Sequence, residues 1–106
     1  MAKIDEATIK SLKAEHKDLI LVTDKDGDEY VCRLPTAAEM ERYRQVSSKE
    51  EGKTEATRGL VLASVVWPDN ETMVSMLDKF AFLAVTLELK ISEFAKLDTN
   101  AKAKKL

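Results

Sequence analysis

The feature that most constrains this chain is a pair of apolar runs on either side of an Asp-Gly turn. Residues 19–23 and 29–34 both have strand character, and in the second run the side chains alternate between two faces. Between them lies Asp-Lys-Asp-Gly-Asp, a dense cluster of turn formers in which Gly27 can adopt a positive φ. This arrangement predicts a β-hairpin. Because a lone hairpin is only marginally stable in water, it must pack on helices or on a neighbouring subunit.

Helical patterns precede and follow the hairpin. Residues 4–17 predict an amphipathic helix with Asp5 as its N-cap, because an aspartate there can accept a hydrogen bond from an unpaired backbone amide. After the hairpin, Thr36-Ala37-Ala38-Glu39 is a capping box, in which the Thr36 and Glu39 side chains each bond to the other's backbone amide. A second helix therefore starts there, and we expect it to end near Ser47.

The second half of the chain is also predicted to be helical. A third helix starts at Thr54 or Thr57, runs to Val66 and has almost no polar face, so it should lie at the centre of the core. Trp67-Pro68 ends it, since the residue before a proline avoids helical geometry. Residues 72–96 form one long helix or two helices joined near Phe80-Ala81-Phe82.

These elements predict an α+β fold that is mostly helical, with an N-terminal helix and β-hairpin followed by a three- to four-helix bundle. The chain has 106 residues, which fits one domain, and we expect that domain to span residues 1–98, with a flexible basic tail over 99–106. Apolar residues make up 44% and charged residues 34%, a balance typical of globular proteins.

Charge and hydropathy argue against several function classes. The formal net charge is -2, whereas a general nucleic-acid binder needs an excess of Lys and Arg to neutralise phosphates. No apolar segment approaches the ~20 residues needed to cross a bilayer, and no secretory leader is recognisable. The single cysteine cannot form an internal disulfide. We therefore expect a cytosolic protein that binds neither nucleic acid nor membrane.

Catalytic and metal chemistry also find little support in the sequence. A thiol enzyme would pair Cys32 with His16, the only histidine, yet Cys32 occupies a strand position typical of a buried, inert cysteine. The aspartates of residues 24–28 suggest calcium, but in an EF-hand register starting at Asp24 the twelfth residue is Pro35 instead of glutamate. One Cys and one His cannot supply a zinc site. The sequence predicts no enzyme, no metal and no cofactor.

Two features point to a partner surface. Two methionines beside Phe80 and Phe82 provide adaptable apolar area, and a tryptophan at a helix end can anchor an interface. The alternative is that the same side chains fill the core or close it beneath the turn, and the sequence leaves both possibilities open. The candidate partner-binding residues are Trp67, Pro68, Met73, Met76, Leu77 and Phe80.

The order of these segments resembles the small tail assembly chaperones of long-tailed bacteriophages and of prophages in Gram-positive bacteria. The hairpin leads to Arg33-Leu34-Pro35-Thr36 and a Glu-rich helix; a charged break and an apolar helix ending at Trp67-Pro68-Asp69 follow. The resemblance covers roughly residues 12–97 and lies in the order and spacing of motifs that are common individually. Relatives often have a Pro-Gly break where this chain has Phe80-Ala81-Phe82.

This resemblance implies a non-enzymatic role. Such chaperones coat the long, helical tape measure protein, keep it soluble, help recruit tail tube subunits and self-associate. It implies a location in the host bacterial cytoplasm and absence from the mature virion. A small structural phage protein, either a head-tail connector or a tail completion protein, is the alternative.

Overall fold

In a computed structural model, which describes residues 3–49, 51–99 and 103–105, five helices accompany a three-stranded antiparallel sheet. The predicted α+β class is confirmed. In chain order the elements are α1 (Glu6–Glu15), β1 (Leu19–Thr23), β2 (Glu29–Arg33), α2 (Ala37–Ser47), α3 (Lys53–Ser64), β3 (Val65–Trp67), α4 (Asn70–Lys79) and α5 (Leu83–Thr99).

The predicted hairpin is present, with β1 and β2 paired antiparallel in regular register. Gly27 has a φ of 86°, a left-handed conformation that favours glycine. Asp24 organises the turn, since its Oδ1 accepts hydrogen bonds from the backbone amides of Asp26 (2.9 Å) and Asp28 (3.0 Å). Its Oδ2 accepts one from the Tyr30 hydroxyl at 3.1 Å. These hydrogen bonds within the hairpin explain why an aspartate occupies position 24.

A third strand is the main departure from the predicted fold. The sequence pattern extended the third helix to Val66, which was wrong, because α3 ends at Ser64 and β3 follows at once. β3 lies beside β2, with Val31 opposite Trp67 and a register irregularity next to that pair. The physical reason is that Val65 and Val66 are β-branched and that Trp67 precedes a proline. The hairpin therefore gains a partner strand from its own chain.

Most of the remaining helices begin where the neighbouring residues of the sequence predict. The Asp5 side chain accepts a hydrogen bond from the Thr8 amide and caps α1. Both halves of the predicted capping box form at the start of α2. α3 begins at Lys53, one residue before the earlier of the two predicted starts.

The last helical region consists of two helices and not one. α4 ends at Lys79, and Phe80 takes an extended conformation with φ -116° and ψ 111°. α5 continues to Thr99, beyond the predicted end at residue 96. Of the predicted tail, Thr99 belongs to α5, and residues 100–102 and 106 lie outside the described residues.

The core lies between one face of the sheet and the helices α3, α4 and α5. α3 is central, as predicted, and packs against α2, α4 and α5. Strand β2 contributes side chains that are fully buried, and α5 contributes Leu83, Leu87 and Ile91. The buried cluster consists of Val22, Tyr30, Cys32, Leu60, Val61, Val65, Met73, Leu77, Leu83, Leu87 and Ile91. Within the described ranges, no helix combines the length and apolar character required to span a membrane.

Candidate functional site

The candidate partner-binding residues of α4 divide between core and periphery. Met73 and Leu77 are one helical turn apart and both are buried in the core cluster, so in this conformation they fill the interior, which was the alternative reading of the sequence. Met76 is partly buried and packs against the same cluster. None of these three side chains presents a large free surface.

The two candidates at the end of β3 are also largely enclosed. Trp67 is half-buried and pairs with Val31 across the sheet, while Pro68 is buried and follows a cis peptide bond. Both residues therefore leave little apolar area free for a partner.

Phe80, by contrast, is 43% exposed at the junction of α4 and α5. The Lys79 ammonium lies 5.7 Å from the centroid of its ring, within the range of a cation–π contact. Phe80 is therefore the member of the predicted set that offers substantial apolar area to a partner.

Three further exposed apolar side chains lie at the start of α5 and on it, outside the set of candidate residues. Phe82 is 79% exposed, Val85 is 47% exposed and Leu89 is 54% exposed. Phe82 immediately precedes α5, and its carbonyl accepts a hydrogen bond from the Thr86 amide, so its spacing to Val85 and Leu89 is that of one helical face. We call these three residues the α5 surface.

The inward side of α5 is firmly attached to the rest of the protein. Leu83, Leu87 and Ile91 are buried in the core, at the spacing of successive helical turns. The Tyr43 hydroxyl on α2 also donates a hydrogen bond to Glu88 Oε1 on α5 at 3.1 Å. The sequence contained both apolar stripes of α5, and a surface helix normally buries only one of them. That excess of apolar residues was the available indication of a surface site.

A cleft adjoins the α5 surface on the side of the hairpin turn. It has a volume of about 470 Å³ and lies between residues 23–26 and the α4–α5 junction. Phe80 and Phe82 line it, and Lys25 and Lys79 supply positive charges beside them. The apolar area is therefore continuous from this cleft onto Phe82, with charged side chains at its margin.

The only cysteine is not an activated nucleophile. Cys32 is fully buried in β2, and this burial raises the pKa of its thiol to about 12. The thiolate, which is the reactive form, is therefore scarce at neutral pH. His16 lies at the end of α1 and has Glu15 as its nearest acidic neighbour, at 3.9 Å.

We expect Cys32 to react with a thiol reagent such as Ellman's reagent at least about 100-fold more slowly in the folded protein than in guanidinium, because both access and ionisation are suppressed. The rate of thiol modification, measured with and without denaturant, tests this. Similar rates under the two conditions would show that the strand opens readily or that the thiol is accessible.

Within residues 3–49, 51–99 and 103–105, no cluster of three or more His, Cys, Asp or Glu side chains has an arrangement suited to a metal ion. The aspartate-rich turn uses both carboxylate oxygens of Asp24 in internal hydrogen bonds.

Comparison with known proteins yields a likeness of fold. No protein-family model and no curated protein matches the chain. The solved structure of an uncharacterised protein from Bacillus stearothermophilus matches it with a TM-score of 0.71, at 13% sequence identity. The match covers 92% of this chain and 98% of that one. At this identity the likeness concerns the fold alone, and the chain shares its α+β architecture with that bacterial protein over nearly the whole length of both.

Proposed function

We propose that this protein is a phage tail assembly chaperone that binds the tape measure protein, keeps it soluble and helps recruit tail tube subunits. The observation that carries the proposal is the exposed α5 surface of Phe82, Val85 and Leu89. The order of the hairpin, the capping box and the Trp67-Pro68 step, which resembles that family, supports the same function.

The α5 surface has the chemistry required to cover an apolar helix. Burying one large apolar side chain contributes roughly 1.5–3 kcal/mol, and an amphipathic client helix presents apolar residues at the same helical spacing. Phe80 and the adjoining cleft extend the surface toward the hairpin. When a client helix lies along α5, apolar area that was exposed on both proteins would therefore be buried in their contact.

A surface of this size gives weak binding for one copy, and weak binding suits an assembly chaperone. A long client offers many similar helical segments, so several copies can bind along it and together prevent aggregation. Each copy can still dissociate when tube subunits polymerise around the client. On this proposal the protein acts in the host bacterial cytoplasm and is absent from the finished particle.

The test is co-expression with the tape measure protein, comparing wild type with the double variant Phe82→Lys and Leu89→Lys. We expect the soluble fraction of the client to fall at least about fivefold with this variant, because two charges replace two of the three apolar side chains of the α5 surface. The measurement is the amount of client in the soluble and pelleted fractions.

The matched control is the double variant Gln45→Lys and Ser75→Lys, which adds two lysines at exposed positions on α2 and α4. It should keep the client as soluble as wild type does. A client that is equally soluble with and without the wild-type protein would refute the proposal. So would finding the protein in purified particles at a fixed copy number, which is the expectation for a head-tail connector or a tail completion protein.

A further inference from the structure

α1 is the helix that is least attached to the rest of the protein. It contributes no fully buried side chain, and among the helices of the described ranges it alone does not pack closely against another element. It is held through a half-buried stripe that includes Ile9 and Leu12, and through a hydrogen bond from the Ile4 amide to Glu29 Oε1 at 3.1 Å. A helix of 10 residues is only marginally stable in water by itself, so α1 depends on the surface beneath it.

α1 lies along the hairpin, and three residues separate its end from the start of β1. At its beginning, Ile4 bonds to Glu29, which pairs with Thr23 at the other end of β1. α1 and β1 are each about 15 Å long, so the helix spans the strand. Because side chains alternate along a strand, Glu29 points away from the core that contains Tyr30. α1 therefore lies on the outer face of the sheet.

An apolar row crosses this outer face. Leu21 on β1, Val31 on β2 and Trp67 on β3 lie opposite one another in the register, so their side chains point to the same side of the sheet. We call these three residues the outer row. Val31 is 4% exposed although it does not belong to the core cluster, so an element outside the core covers it. The position of α1 identifies the half-buried stripe of this helix as that cover.

We infer that the outer row is a docking site for an amphipathic helix of a partner protein, and that α1 occupies this site until the partner displaces it. The chemistry of the partner follows from the present occupant, because α1 is itself a short helix with Ile9 and Leu12 three positions apart on its half-buried side. A partner helix with apolar residues at the same spacing fits the same row. The site is separate from the α5 surface, so this inference does not rest on the proposed function.

Displacement of α1 leaves the core in place, because none of the described residues in the core cluster belongs to α1. Leu21 is 52% exposed, so a partner can reach the β1 end of the outer row while α1 is still bound. Trp67 lies next to Val31, and a helix is about 10 Å wide, so a helix that covers Val31 also overlies Trp67. Release of α1 therefore uncovers a tryptophan, a residue type enriched among interface hot spots.

The first test uses Trp67, the only tryptophan of the chain, as a fluorescent reporter. The double variant Ile9→Ser and Leu12→Ser removes the apolar side of α1 and should release it from the sheet. We expect the acrylamide quenching constant of Trp67 to rise at least about twofold, because the side chain loses its cover. The matched control, Lys10→Ser and Lys13→Ser, loses a similar amount of helix propensity at exposed positions of α1 and should leave the quenching unchanged.

Hydrogen exchange of the wild-type protein gives an independent readout. The Leu12 amide in the middle of α1 should exchange at least about 100-fold faster than the Val61 amide in α3, because α1 opens without unfolding the core. Equal rates would contradict the inference, since α1 would then open only together with the whole domain.

Binding of a model helix tests the docking site itself. The probe is a tryptophan-free peptide of about 15 residues with leucine at i, i+3 and i+7 and with Lys and Glu elsewhere. We expect the peptide to protect Trp67 from acrylamide, and to bind the Ile9→Ser and Leu12→Ser variant at least about tenfold more tightly than wild type, in which α1 competes for the row. A peptide of the same composition with its leucines spread around the helix should not bind.

Three outcomes would overturn the inference. Loss of the whole fold in the Ile9→Ser and Leu12→Ser variant would show that α1 is an integral part of the domain. Unchanged quenching of Trp67 in a folded variant would show that α1 does not cover the outer row. A folded variant with an accessible Trp67 that fails to bind the probe would show that the row is no docking site.

The α5 surface provides the control that separates this inference from the proposed function. Adding Phe82→Lys and Leu89→Lys to the variant with a released α1 should leave protection of Trp67 by the probe peptide unchanged, because these side chains lie outside the outer row. Loss of that protection would contradict a separate docking site. The result of co-expression with the tape measure protein has no bearing on these measurements, which use this protein and a synthetic peptide.

Discussion

Leu87→Ala is expected to lower the free energy of unfolding by about 2–5 kcal/mol, the range measured when leucine is truncated in a well-packed core. Leu87 is fully buried on the inner face of α5, within the cluster formed by β2, α3 and α4. Removing its side chain costs apolar burial and leaves a cavity among neighbours that are themselves buried. In a domain with a total stability of about 5–15 kcal/mol, this is a large fraction.

Leu89→Ala is the matched control, since Leu89 lies two residues away on the same helix and is 54% exposed. We expect it to change the stability by less than about 1 kcal/mol, because alanine favours helix and little burial is lost. Urea unfolding followed by circular dichroism measures both variants. Equal losses for the two substitutions would contradict the assignment of α5 faces, on which the proposed client surface depends.

The second large loss of stability is expected when Glu39 is substituted. Its side chain connects the end of β2 to the start of α2. Arg33 donates two hydrogen bonds to the Glu39 carboxylate, at 2.8 and 2.6 Å, and the Thr36 amide donates a third at 2.8 Å. Both charged side chains are about three-quarters buried. The hydrogen bonds from Arg33, followed by those from Thr36, lower the pKa of Glu39 to about 2 from its ordinary value of 4.5.

Glu39→Gln should therefore destabilise the protein by roughly 2 kcal/mol at pH 7, because it removes the charge while keeping the size of the side chain. Since the folded-state pKa lies below the unfolded one, the stabilisation from Glu39 is fully present above about pH 4.5 and is lost as the pH falls toward 2. The difference in stability between wild type and variant should shrink over this interval.

Glu41→Gln serves as the control for this prediction. Glu41 forms an ion pair with Arg44 on the exposed side of α2, where both side chains are mostly in water. Such surface pairs contribute little, and we expect a change of less than about 0.5 kcal/mol. The measurement is a series of unfolding curves between pH 2 and 7. Equal losses of stability for Glu39→Gln and Glu41→Gln would contradict the role assigned to Glu39.

The parts of the fold that the sequence predicted are those determined by neighbouring residues. The hairpin depends on Asp24 and Gly27 within its own turn, and the α2 start depends on Thr36 and Glu39, three positions apart. Each interaction lies within a few residues, so a short window of sequence contains its cause. β3 was missed because a three-residue strand has too few positions for a periodic pattern, and its partner residues in β2 lie about 35 positions earlier in the chain.

The candidate site was harder to predict because burial depends on packing between distant elements. Met73 and Phe82 are both large, apolar and placed on helical stripes, yet the first is buried and the second is largely exposed. Only the position of α4 and α5 against α3 and the sheet separates the two. The sequence could show that the last region had more apolar faces than one core needs, but it could not say which face remained outside.

The attachment of α5 also affects how it can bind a partner. Core contacts through Leu87 and Ile91, together with the bond from Tyr43 to Glu88, hold the helix backbone in place before any client arrives. On the proposed function, docking of a client requires the ordering of the Phe82 and Leu89 side chains but no folding of their backbone, so this protein loses little conformational entropy on binding. Because the α5 surface is ordered before binding, we expect it to exchange rapidly among many client segments. Its selectivity would then depend on its shape and not on a conformational change.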